Sequence, residues 1–272
     1  MKKEGIGKNM ATRIRYDSCL TLFWLMGSVI IVITILALLS IAVPELADLS
    51  HLISVATESE VIEAILVTMV AALVAVIFLV IFGTPLAYAL ARSSSRWTGI
   101  VENIVDIPLA LPHTVAGLMV YLLFMSRGLI GAPLSSVGIV FEDAFSGIVV
   151  AMIFVSSPYY INAVREGFEK VPVHLENVAR TLGSTRFHAF RKITLPLSTR
   201  HLLSGSFLAW GRAVGEFAAV IMIAYFPMVV STLIYQRFTT GGLAESRSVA
   251  FIMILICLAV FIVFRWLTRT AG

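Results

Sequence analysis

The chain has 272 residues, 59% of them apolar and only 13% charged, with a mean hydropathy of +0.96. A soluble domain carries about 25% charged residues, so the composition excludes a soluble protein and points to a chain that crosses a membrane several times. The net charge of +4 decides little, because the placement of Lys and Arg in a membrane protein matters more than their sum.

Residues 1–19 form a basic tail, and the apolar run at 20–43 follows. That run has 24 residues, whereas the apolar region of a signal peptide has about 7–15. It reads as a first transmembrane helix, since about 20 residues cross the hydrocarbon core. Five more spans are predicted at 63–89, 104–125, 144–164, 203–226 and 249–266. The third is interrupted by Pro108 and Pro112, and the fifth carries Arg212 and Glu216. The predicted organisation is therefore a tail, one leading helix and a five-helix core over 60–266, with a polar loop at 165–200. Cys19 and Cys257 lie far apart, in or beside apolar runs, and read as packing residues rather than a disulfide or metal pair.

Sixteen of the twenty Lys and Arg residues fall in the tail, the connections after the second and fourth spans, and the C-terminal end. The alternate connections hold only Arg127, Arg237 and Arg247. Basic residues mark the cytoplasmic face, so six spans with both termini and the 165–200 loop inside are expected. The outer connections differ: 44–60 is acidic, 126–143 is rich in Gly, Ser and Pro, and 225–248 passes through Gly241-Gly242. No Gly-x-x-x-x-Gly-Lys-Ser/Thr phosphate loop occurs, so nucleotide energy would have to come from another chain. Nothing points to nucleic acid as a partner.

The loop contains a basic island at 170–197. Pro172 suits a first helical turn. Leu175, Val178, Ala179 and Leu182 follow at i, i+3, i+4 and i+7 and make one apolar face, with Glu176, Asn177, Arg180 and Thr181 on the other. Gly183 can supply a left-handed stop, and Ser184 or Thr185 can cap the next segment, 186–193, which Pro196 should end. Such a helix could lie on anionic headgroups or grip a cytoplasmic partner.

Spacing favours the partner. Gly183, nine residues, Ile193, one residue, Leu195 and Pro196 spell G-x9-I-x-L-P, preceded by Asn177-Val178-Ala179. This resembles the loop of type I ABC importer permeases, in which Glu-Ala-Ala stands at those three positions. Asn177 and Val178 depart from the pattern, and Glu176 stands one residue early. The resemblance covers roughly residues 60 to 265. IPLALPHTVAGL at 107–118, GFEKVPVHLENVARTLGS at 167–184 and RAVGEFAAVIMIA at 212–224 are similar to the molybdate/tungstate branch, with the sulfate branch close.

The resemblance implies an all-α polytopic permease that imports an oxyanion, with sulfate, thiosulfate or another oxyanion as the alternative cargo. It implies a second permease copy, two cytoplasmic ATPase subunits holding ATP and Mg, and an extracytoplasmic binding protein. It also implies that Leu175, Glu176, Asn177, Val178, Ala179, Arg180, Thr181 and Gly183 couple to the ATPase. The chain itself would then hold no cofactor or metal and perform no catalysis.

Within the spans, Arg212 and Glu216 are four apart and share a helix face. Intramembrane charges are costly and either pair or face a cavity. Two readings stand: a structural ion pair, or an Arg212 that faces an anion path. Pro112, His113 and Thr114 lie where two prolines break a helix, and broken helices at membrane depth are tolerated where they line a cavity. They are candidate path residues, with a kinked packing helix as the other reading. A stand-alone carrier would need more coupling charges than Arg212 and Glu216. A membrane-embedded enzyme would need a catalytic cluster, and no His-Glu-x-x-His pair is present.

Overall fold

The computed structural model describes the backbone of residues 5–270 and the side-chain surroundings of residues 19–266. The basic side chains of the tail and Arg269 fall outside the described side chains. All regular structure among the described residues is helical.

The chain divides into two compact units, Met1–Ser54 and Val55–Gly272. The first consists mainly of α1 (Gly5–Ala47), which is helical well before the apolar run begins. Its apolar side chains from Leu20 to Val43 are mostly exposed, as a lipid-facing helix requires. A short helix, α2 (Leu49–Ala56), runs across the boundary.

In the second unit, α3 (Ser59–Phe78), a π-helical turn (Leu79–Gly83) and α4 (Thr84–Arg92) form one long apolar segment. Then come α5 (Thr98–Ala110), α6 (His113–Phe124), α7 (Gly131–Ser135) and α8 (Phe145–Glu169). The polar loop holds α9 (Val173–Thr181), α10 (Arg186–Ala189), a π-helical segment (Phe190–Thr194) and α11 (Leu195–Leu197). The chain finishes with α12 (Thr199–Val214), α13 (Ala218–Ile223), α14 (Val230–Gly241) and α15 (Leu243–Thr270).

Helix α8 is the centre of this unit. Ile148, Met152, Tyr160, Val164 and Phe168 run down it fully buried. Small residues on its neighbours let the helices approach: Ala71, Ala72 and Ala75 on α3, and Ala209 and Ala213 on α12, have no exposed surface. Polar contacts tie α5 to the same helix. Arg165 meets Glu102 at 2.8 Å, and Asn162 Nδ2 donates to Asp106 at 2.7 Å.

Among the described residues, four helical segments are long and apolar enough to cross a membrane, and a fifth exists if α5 and α6 count as one bent span. Of the six spans expected from sequence, the third bends where its prolines predict a break, and the fifth, expected to be continuous, does not run as one helix. Helices α5 and α6 meet at 115°. Pro112 marks the corner, while Pro108 is accommodated inside α5. The segment expected at 203–226 is interrupted too. Helix α12 stops at Val214, and Gly215, Glu216 and Phe217 separate it from α13. Pro196 also fails to end the loop's second segment. Helical structure continues to Leu197, and the preceding residues widen into a π-helical turn, which makes room for a ring that would clash with a carbonyl one turn back.

Helices α6 and α13 cross almost in backbone contact at Gly117. A Cβ there would lie 2.7 Å from Ala219 Cα and 2.8 Å from its carbonyl oxygen. Gly117→Val must push the helices apart and should cost about 1–3 kcal/mol. Unfolding of the purified protein in mixed micelles measures it, and an unchanged midpoint would contradict the crossing.

Candidate functional site

Helix α9 is short and stands outside the long apolar segments. Its end is closed by a Schellman motif: Ser184 N–H donates to Ala179 O, and Gly183 N–H donates to Arg180 O, both at 3.0 Å. Gly183 has φ +92°, the left-handed backbone expected for a glycine stop. Thr185 then caps α10, its hydroxyl accepting from His188 N–H at 3.2 Å.

The predicted coupling residues divide between two faces. Asn177, Val178, Arg180, Thr181 and Gly183 are exposed, and Leu175 and Ala179 are half-buried. The exposed side is partly apolar: Val178 is 54% exposed, Leu182 83% and nearby Phe187 71%. Glu176 departs from its expected place among the outward polar residues. It is 7% exposed and points into the protein.

The reason lies in groups that sequence reasoning passed over. Glu176 Oε1 accepts from Thr194 Oγ1 at 2.6 Å and from Arg92 Nε at 2.9 Å. Its Oε2 accepts from Tyr88 Oη at 2.8 Å. Arg92 Nη2 lies 2.8 Å from Oε1 and also donates to Val171 O at 3.0 Å. Burial pushes the Glu176 carboxyl up, but the hydrogen bonds from Thr194, Arg92 and Tyr88 and the Arg92 charge outweigh it, holding the group below the usual carboxylate range. A polar residue one position before the expected triplet was visible in the sequence. Nothing in the sequence showed that Arg92, 84 residues earlier, would face it.

The predicted path residues also gather, though by a different geometry from the one expected. Arg212 Nη2 lies 2.5 Å from Glu216 Oε2. The two do not share a continuous helix face, because Glu216 lies in the break after α12. Its other oxygen accepts from Ala219 N–H at 2.6 Å and so caps the first turn of α13. Its backbone carbonyl accepts from Ser231 Oγ at 2.8 Å. Arg212 Nη2 is also 3.0 Å from each ring nitrogen of His113, equidistant rather than directed at one. Pro112 forms the corner that starts α6, and Thr114 is exposed beside it. Two helix breaks, Leu111–Pro112 and Gly215–Phe217, are thus joined by one guanidinium. Glu216 is buried, Arg212 half-buried and His113 exposed, so the cluster reaches a surface of the chain.

Among the described residues, no group of three or more His, Cys, Asp or Glu could hold a metal ion. The profile of a family described as binding-protein-dependent transport system inner membrane component matches residues 83–271. The chain belongs to this family. Like other members of it, this transport component is a multi-pass membrane protein. It is 36% identical over 254 residues to the molybdate/tungstate transport system permease protein WtpB of Thermococcus kodakarensis, covering 93% of this chain and 98% of that one. It is 35% identical over 204 residues to the sulfate transport system permease protein CysT of Salmonella typhimurium, covering 74% of each. Its fold resembles a chain of a bacterial ABC transporter involved in the import of alginate, with a TM-score of 0.68 and 19% identity over 94% of this chain and 99% of that one.

Proposed function

We propose that this chain is the membrane-spanning permease subunit of an ATP-driven importer whose cargo is molybdate or tungstate. The observation that carries the reading is the near full-length similarity to the molybdate/tungstate permease WtpB. The shorter match to the sulfate permease CysT makes sulfate the second reading. The exposed apolar side of α9, closed by Gly183, supplies the surface such a permease presents to a cytoplasmic ATPase.

In this reading two copies of the chain form the path along their shared interface. Each presents Leu175, Val178, Ala179, Arg180, Thr181 and Leu182 to one ATPase subunit, with Asn177 at the entry and Gly183 holding the stop. A binding protein delivers the oxyanion to the outer loops. Nucleotide binding closes the ATPases, carries the two α9 helices together and reopens the path outward, a two-state change biased by ligand. ATP and Mg belong to the partner, so the chain performs no catalysis. Both termini and the α9 loop face the cytoplasm, where the basic residues concentrate. His113 and Arg212 face the path, with Glu216 buried behind the guanidinium and Pro112 and Thr114 at the corner beside them. The guanidinium attracts an oxyanion, and the adjacent carboxylate keeps it from binding so tightly that release stops.

The test is uptake into vesicles containing this chain and its ATPase, with the cognate binding protein outside and ATP inside. Labelled molybdate and tungstate should enter only with ATP, and sulfate should compete weakly. ATP-dependent entry of sulfate alone would move the cargo to the second reading. Transport without the ATPase would overturn the importer reading.

A further inference from the structure

The covalent neighbours of α9 are α8 on one side and α10 on the other. A separate, non-covalent link crosses to α4. Arg92, the last residue of α4, donates to Val171 just before α9 and to Glu176 in its first turn. Tyr88 reaches the second oxygen of the same carboxylate. Its ring packs edge-on against Phe168 of α8, with centroids 5.7 Å apart, and lies 4.6 Å from Phe190.

Thr84, Tyr88 and Arg92 stand at i, i+4 and i+8, so they form one stripe along α4. At the far end of the stripe, Thr84 Oγ1 and Tyr160 Oη share a hydrogen bond of 2.7 Å. Beyond Thr84 comes the π-helical turn Leu79–Gly83. Helix α4 is therefore a nine-residue rod, engaged by polar contacts at both ends and joined to α3 through a widened turn. A mostly buried, hydrogen-bonded charged pair, its side chains 13% and 9% exposed, is costly to break from one side. It makes a stiff joint where packing alone would let a short helix slide.

We infer that Glu176 is a positioning residue that clamps α9 to Arg92 and Tyr88, so that displacement of α9 enters the second apolar segment at the cytoplasmic end of α4. The clamp separates two roles within α9: Val178 and Leu182 face outward, and Glu176 faces inward. This inference rests on the reading of α9 as the helix moved by a partner ATPase. It concerns where that motion goes inside the chain.

The experiment uses the complex of permease, ATPase and binding protein in vesicles, measuring anion taken up per ATP hydrolysed. That ratio does not depend on how much complex assembles. Glu176→Gln and Arg92→Ala should each lower it about tenfold, within the range of a typical coupling between sites. The double variant should be no worse than the poorer single one, because both remove the same contact. Thr194→Val, which removes one donor to the carboxylate, should lower the ratio less. Uptake and hydrolysis falling together at a constant ratio would overturn the clamp, and so would multiplied losses in the double variant. If Glu176→Gln fails to assemble, Tyr88→Phe carries the test, because it removes a single hydroxyl from the joint. An unchanged ratio there overturns the proposal. Wild-type complex without ATP-dependent uptake would instead overturn the importer reading, and that control is read first.

Discussion

Arg212→Ala should abolish most oxyanion uptake and also destabilise the protein by about 3–5 kcal/mol, the usual cost of removing one partner from a buried ion pair. The destabilisation follows from Glu216, which is 1% exposed and would be left a buried carboxyl without its guanidinium partner, its side chain held by Ala219 N–H. A lost uptake signal in this variant alone therefore says little about a path. The informative variant is the double substitution Arg212→Ala with Glu216→Gln. It removes the guanidinium and the unpartnered carboxyl together, while the amide oxygen of Gln can still accept from Ala219. Most of the lost stability should return. Uptake should remain at least about tenfold below wild type, because about 1.4 kcal/mol of stabilisation for the passing anion is gone. Stability comes from unfolding in mixed micelles, and uptake from vesicles matched for the amount of complex. If uptake returns along with stability, the cluster is a structural brace between the two helix breaks, and the path runs elsewhere.

These two charges also show how far a sequence can be read. Their i, i+4 spacing predicts contact, and contact is found, but through a different structure. The periodicity assumes a helix through 216, whereas the helix ends at Val214. The break contains no proline, and Gly215 alone is a weak signal because glycine is common inside membrane helices. Pro112 could be read because its ring both removes a donor and crowds the preceding turn, and the chain does turn there. Pro196 has the same chemistry without the same result, because a π-helical segment before it absorbs the strain. The all-helical class followed from long apolar runs. The direction of Glu176 did not, because its partners Tyr88 and Arg92 are distant in sequence. Polarity in a short amphipathic helix predicts an outward side chain unless a cation waits on the inner side. Here one does.

The stop at Gly183 is legible because its requirement is local, and it yields the second large effect. Nothing lies within 4 Å of where a Gly183 Cβ would stand, so substitution there meets open space. Any loss must come from the backbone, which sits at φ +92°. Asn visits that region readily, Ala pays about 1–2 kcal/mol, and Pro cannot adopt it at all. Pro also removes the N–H that Arg180 O accepts. The expected order of damage is Asn, then Ala, then Pro, with Gly183→Pro costing about 3 kcal/mol or more of local structure. Ala179 and Arg180 would lose their closing hydrogen bonds, and Leu182 its fixed position beside Val178. Membrane insertion should be untouched in all three variants, since α9 lies outside the long apolar segments. The amount of ATPase retained on affinity-purified permease, together with ATP-dependent uptake, should fall in the stated order. A series that followed side-chain bulk instead, with Asn worse than Ala, would show that the partner packs directly on this position. Equal retention by all three would remove α9 from the docking surface, because a helix whose end has frayed cannot present Val178 and Leu182 as one face.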